Sequence, residues 1–252
     1  FAGDALPQTV PGRLLSIADK LDNLVGCFGL GLTPTGSQDP YALRRQALGI
    51  CLILITGQLH LPLRKTVYRA HQAYGGRLKN EAAQVFADLA EFFKQRLRGV
   101  FQEQGIAPEV TEAVLAVDTD DLYATFLRAK ALNEFRHDRL FGDLVTAYTR
   151  AANLSRTATA REPDPAHFVD PAEKDLYMAL KTLREQVAPE LKNDNYYRAL
   201  TILAALRPPV DRFFDSVLVM HENSLLRENR LALLRAVADL IRSVGDLTKI
   251  SV

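Results

Sequence analysis

The chain has 252 residues, 48% of them hydrophobic and 24% charged, which is the balance of a globular protein with ample material for a core. Its 31 basic and 30 acidic residues leave a net charge of +1, so the molecule is no polycation, and a nucleic-acid surface would have to come from local sorting of charge. No apolar run approaches the roughly 20 residues needed to span a bilayer, and the two cysteines, Cys27 and Cys51, lie in apolar surroundings without CxxC spacing, as free thiols of a reducing compartment do.

The chain opens FAGDALPQ, without Met and without the regions of a signal peptide, and reads as a piece of something longer. After Pro11-Gly12, the residues Leu14, Ile17, Ala18, Leu21, Leu24, Val25 and Phe28 share one helical face. A second helix is predicted over 41–55, apolar nearly all round in its later half, and a third over 63–74, stopped by Gly75-Gly76. Val85, Phe86, Leu89, Phe92, Phe93, Leu97, Val100 and Phe101 form a long apolar stripe. Gly105-Ile-Ala-Pro108 is the first credible boundary. A helical hairpin follows over 109–136, with Asp118-Thr-Asp120 placed to cap its second member. Another helix spans 140–154, and 157–170 is a polar, proline-bearing loop. Asp170-Pro171, Asn193-Asp194, Pro208-Pro209 and Ser224 each read as the start of a further helix. No segment alternates with period two, and the class is all-α.

The glycine-bearing stretch CFGLGLTPTGSQDPYALRRQALGI, residues 27–50, could cradle a phosphate or join two helices. A phosphate loop of the Walker type needs a preceding strand and a lysine after its last glycine, and here a helix precedes and Ser37 follows Gly36. As a joint the stretch makes sense: glycines let the first helix end left-handed, Pro34 stops it resuming, and Asp39-Pro40 caps the next. Arg44 and Arg45 then fall in a first turn, where positive charge opposes the helix dipole, so a partner is expected, either a carboxylate or an RNA phosphate.

The wording of this stretch is more specific than its composition. The run Ile17-Ala-Asp-Lys-Leu-Asp-Asn-Leu-Val-Gly26, continued by PTGSQDPYALRRQALG at 34–49, resembles the β subunits of bacterial heterotetrameric glycyl-tRNA synthetases. The opening FAGDALP, the stretch VDRFFDSVLVM at 210–220 and LRENRLALL at 226–234 are similar to the same family. The resemblance implies a C-terminal portion of such a subunit in two helical domains. Residues 1–105 would be the end of an HD-like domain with a helical linker, and 106–252 an anticodon-binding bundle of the DALR type. It further implies a cytoplasmic protein that binds tRNA for glycine and assembles with the α subunit as an α2β2 heterotetramer. ATP and Mg would be used by the α subunit, leaving this part with no catalytic residue, metal or cofactor of its own.

Residue by residue, Ala18-Asp19-Lys20-Leu21-Asp22-Asn23 is similar to the helix that carries the last metal ligand of HD phosphohydrolases. The other ligands would lie upstream, and one carboxylate does not fix a metal, so Asp19 reads as structural. The five histidines, at 60, 71, 137, 167 and 221, show no ligand spacing. The locally basic segment 128–156 offers Arg128, Arg136, Arg139, Arg150, Asn153 and Arg156 as RNA contacts, with Thr149 standing where the family pattern has a lysine. The tail motif adds Arg227 and Asn229, and Arg44 and Arg45 complete the candidates. On the wheel of the last helix, Leu226, Leu233, Leu234, Val237, Leu240 and Ile241 share a face opposite Arg227, Arg235 and Arg242. Arg230 points into the apolar side and needs a carboxylate, for which Asp211 and Asp215 on the preceding helix are expected. Phe213 and Phe214 have the spacing of core. Two rival readings stand beside tRNA binding: a metal-dependent HD phosphohydrolase, and a module that only holds synthetase subunits together.

Overall fold

A computed structural model describes residues 5–159 and 162–250. Among them the chain is helical throughout, with one isolated bridge, Thr35 to Gln38, and no strand. The helices are α1 (Val10–Gly29), α2 (Leu43–Gly57), α3 (Leu63–Ala73), α4 (Ala82–Glu103), α5 (Pro108–Leu115), α6 (Leu122–Phe135), α7 (Phe141–Ser155), α8 (Pro171–Lys192), α9 (Tyr196–Ala204), α10 (Arg207–Ser216) and α11 (Ser224–Arg242). No helix among the described residues is long and apolar enough to cross a membrane. The chain forms two compact units, one of residues 1–108 with 118–126, the other of 109–117 with 127–252.

In the first unit α1 packs on α2, α3 and α4, and α4 closes on α2 and α3. Leu24, Val25, Ile50, Leu54, Leu89, Phe93 and Leu97 are fully buried there. The inward face of α1 starts only at Ile17, since Leu14 and Ala18 are exposed. Cys51 lies in this core, where burial pushes its thiol up to about 12, beyond use as a nucleophile. The glycine-bearing stretch is a joint. Leu32 N–H returns to the Cys27 carbonyl (2.8 Å), Gly31 takes φ +77° as a left-handed helix end requires, and Gly36 (φ +51°) turns the Thr35–Gln38 bridge. The Asp39 carboxylate accepts from the N–H groups of Leu43 (2.8 Å) and Arg44 (3.0 Å). It therefore caps α2 from four residues before the first helical position, and Pro40 stays outside the helix. The far end of α1 is closed by a distant segment: Lys79 and Asn80 N–H both reach the Gly29 carbonyl, and Asn80 Nδ2 donates to the Phe28 carbonyl.

Capping by distant residues recurs. Asp118 and Asp120 do not cap α6, whose first turn is held by Asp121 Oδ1 on Ala124 N–H (2.9 Å). Asp120 instead caps α3, 56 residues away, by accepting from Arg64 N–H at 2.6 Å. At α11 the cap is Asn223, accepting from Leu225 and Leu226, so Ser224 is the first helical residue. Asp170 caps α8 as expected, in a capping box completed by Glu173.

In the second unit α7 and α11 pack along their lengths, α10 and α9 lean on α7, and α8 lies against α9, α10 and α11. Phe135, Leu144, Leu176, Leu200, Val210, Phe213, Leu233 and Val237 fill it. Phe213 is fully buried, while Phe214 is half-buried under the Arg150 guanidinium. Arg230 is buried as expected, but its partner is neither Asp211 nor Asp215. Its Nε donates to Glu173 Oε1 at 2.8 Å and its Nη1 to the Leu218 carbonyl at 3.0 Å. Asp211 is engaged by Arg150 and Arg207, and Asp215 is exposed. The Arg230–Glu173 pair is almost wholly out of water, with side-chain exposures of 7% and 1%. Burial raises the Glu173 carboxyl, but hydrogen bonds from Arg230 and from the N–H groups of Asp170 and Val169 more than offset it and hold it below its ordinary value.

Two stability outcomes follow from these contacts. Asp39→Ala, which leaves two N–H groups of α2 unsatisfied, lowers stability by about 1–2 kcal/mol in urea unfolding followed by circular dichroism. Glu173→Gln, which strips a buried guanidinium of its counter-charge, costs about 3–5 kcal/mol, with hydrogen exchange rising in α11. Because the folded Glu173 titrates below its unfolded value, its stabilisation is full above that value and is lost as pH falls through the folded one. The Gln variant therefore shows a shallower acid limb in stability against pH.

Candidate nucleic-acid interface

The packing of α7 on α11 leaves a concave site on the second unit. Tyr148, Ala152 and Ser155 of α7, with Arg156 just after it, form one wall, and Arg235, Ala238, Asp239 and Arg242 of α11 the other. Asp246 and Thr248 close the end. Its volume of about 220 Å³ lies below the ~300–1,000 Å³ of small-molecule sites, so it suits a phosphate or the edge of a passing chain.

Three guanidinium groups line this small space. Arg156 and Arg242 are exposed at the rim. Arg235 is half-buried and steadied by donation from Nη1 to the Ala158 carbonyl (3.2 Å), with Asp239 at 3.8 Å one turn on. The second carboxylate, Asp246, is committed internally. It accepts from Tyr148 OH (3.0 Å), Thr248 Oγ1 (2.6 Å) and Thr248 N–H. Burial raises it, but these bonds and the Arg242 charge bring it below the usual carboxylate range, so it stays ionised. Burial and that same carboxylate push the Tyr148 hydroxyl well up, so it stays protonated and donates to Asp246. The site offers fixed positive charge in planar forks, which suits a phosphodiester better than it suits bond-making chemistry.

The residues named from sequence sort by what already holds them. Arg136 is paired with Glu109 (2.7 Å). Arg150 is held between Asp211 and the Phe214 ring, 4.4 Å from its centroid. Asn229 is buried and clamps the Asp164 backbone in both directions, accepting from its N–H (2.7 Å) and donating to its carbonyl (3.0 Å). Arg227 donates to the His221 carbonyl (3.0 Å), Arg128 reaches the Ser243 carbonyl (3.4 Å), and Arg44 donates to the Gly36 carbonyl (2.7 Å). Arg45, Arg139, Asn153 and Arg156 are exposed. Of these only Arg156 lines the α7–α11 site. Its companions Arg235 and Arg242 were visible as a cluster on the α11 wheel, but nothing in one helix shows which residues of another will face it. Asp19 is exposed on α1, and among the described residues no three His, Cys, Asp or Glu converge where a metal could sit.

Comparison with known proteins matches two stretches of the chain. Residues 1–116 match the family described as glycyl-tRNA synthetase beta subunit, and residues 144–252 the DALR anticodon binding domain, which contains the α7–α11 site. Among similar proteins, the glycine–tRNA ligase beta subunit of Desulforudis audaxviator is 51% identical over 98% of this chain. Those of Desulforamulus reducens and Moorella thermoacetica are 46% identical over 100% and 43% identical over 99%. The chain spans only 36–37% of the length of these relatives. With matches of one description running from end to end, the chain belongs to the glycyl-tRNA synthetase β-subunit family.

Proposed function

We propose that this chain is the tRNA-binding part of a glycyl-tRNA synthetase β subunit, and that it holds the anticodon arm of tRNA for glycine on the α7–α11 site. The observation that carries the reading is the convergence of Arg156, Arg235 and Arg242 in one concave site within the segment that matches an anticodon-binding domain. Guanidinium planes bind phosphates in pairs of hydrogen bonds and stack on unpaired bases, and anticodon loops present both. The chain acts by placing the tRNA, while an α subunit in an α2β2 assembly performs ATP- and Mg-dependent charging, in the cytoplasm. An HD-type hydrolase would require a converging ligand set, and among the described residues none gathers around Asp19.

Filter binding of the chain to a glycine tRNA transcript tests this. Arg156→Ala with Arg242→Ala, both at the rim, weakens binding by about tenfold or more at low salt and lowers the slope of log affinity against log salt by roughly 1.4, at ~0.7 per single-strand phosphate contact. A tRNA changed at anticodon positions 35 and 36 binds less well to the parent chain and shows little further loss with the variant. Equal binding of both tRNAs by parent and variant would refute anticodon reading at this site. Retention of an α subunit without any tRNA affinity would point to a purely assembling module.

A further inference from the structure

A second basic surface lies on the first unit, where no site has been assigned. Between Asp39 and Glu81 the sequence contains no acidic residue at all, yet it carries Arg44, Arg45, Arg64, Lys65, Arg69, Arg77 and Lys79. The remaining 24 basic and 30 acidic residues leave the rest of the chain at −6. Three of the seven fall on the outer face of α3. Leu63 and Val67 point to the core, while Arg64 and Tyr68, and Lys65 and Arg69, form two adjoining rows one helical turn apart. With His71 and Gln72 they line a groove of about 680 Å³.

The groove is built rather than incidental. The Arg64 guanidinium lies over the Phe86 ring of α4, 4.3 Å from its centroid, and the Tyr68 ring is 6.4 Å from the same ring. His71 Nε2 donates to the Asn80 carbonyl at 2.8 Å, which ties the end of α3 to the start of α4. Asp120 is the one carboxylate in the lining, and it is occupied with the α3 N-terminus. No ion pair among the described residues takes up Arg64, Lys65 or Arg69. Lys65 is of a type depleted at protein-binding surfaces, although Arg and Tyr are common there, and no Leu, Ile, Val, Met or Phe lines this groove. An aromatic ring set among uncompensated cations is the pattern of a surface that follows a nucleic-acid backbone.

We propose that the α3 groove binds the phosphodiester backbone of the same tRNA at a place outside its anticodon arm, with Lys65 and Arg69 neutralising phosphates and Tyr68 available to stack. The proposal rests on the tRNA-binding reading of the second unit and adds a separate grip to it.

The test compares the whole chain with its Lys65→Ala, Arg69→Ala double variant against two RNAs, full-length glycine tRNA and its isolated anticodon hairpin. Both residues are exposed, so the urea midpoint should not move. The expected result is a loss of about tenfold or more for full-length tRNA, a salt slope smaller by about 2 at ~0.9 per phosphate, and unchanged hairpin binding. Undiminished affinity of the variant for full-length tRNA would overturn this inference while leaving the anticodon reading intact. Failure of the parent chain to bind either RNA would overturn both. A variant that keeps its tRNA affinity but no longer binds a glycyl-tRNA synthetase α subunit would make the groove a protein contact, and the proposal would again be wrong.

Discussion

One buried carboxylate sets the arrangement of the second unit. Glu173 closes the capping box of α8 through the N–H groups of Val169 and Asp170, and its other oxygen takes Arg230 from the middle of α11. Arg230 in turn reaches the Leu218 carbonyl, between α10 and α11. Three segments that share no local sequence are thus fixed by a single ion pair. Such a pair gives little net energy over an apolar substitute, but it tolerates only one register, because a shift of α11 would bury a charge without a partner. That register is also what turns Arg235 and Arg242 toward α7. The neighbouring Asn229 adds its two-way clamp on Asp164, so the polar loop after α7 is held at the same level of α11.

The same physical logic separates structural from available arginines. A guanidinium that already satisfies its donors on a carboxylate or carbonyl must break those bonds to take a phosphate, and its contribution to binding is reduced by what it gives up. Arg136 and Arg150 are in that position, despite lying in the most basic local segment of the second unit. Arg156, Arg242, Lys65 and Arg69, which face solvent, carry charge that a polyanion can use at little internal cost.

How much of this was legible in the sequence depended on the range of the interaction. The all-α class, the α1–α2 joint and the Asp170 N-cap were readable because each is decided within a few residues. The need of Arg230 for a carboxylate was readable too, from its place on an apolar face. Its choice of Glu173 was not, since Asp211 sat closer along the chain and is drawn off by Arg150 and Arg207. Likewise Asp120 looked like a cap for the helix just after it and serves the one 56 residues before. The α7–α11 site failed for the same reason: each wall was visible, and their meeting was not. The α3 surface went unread for another reason. Its signal is an absence of acid over some forty residues, which no motif of ten or twenty residues contains.

The closure of α1 by Lys79 and Asn80 bears on how the first unit comes into being. The last carbonyls of a helix need donors; those of Cys27 and Phe28 find them locally on Leu32 and Gly31, but that of Gly29 takes its donors from the segment between α3 and α4. Until residue 80 has left the ribosome, α1 has only its local turn at Leu30–Leu32 as an end, and the Gly29 carbonyl lacks its native donors. Completion of this unit therefore includes a contact of about fifty residues' sequence separation, which local helix formation alone does not supply.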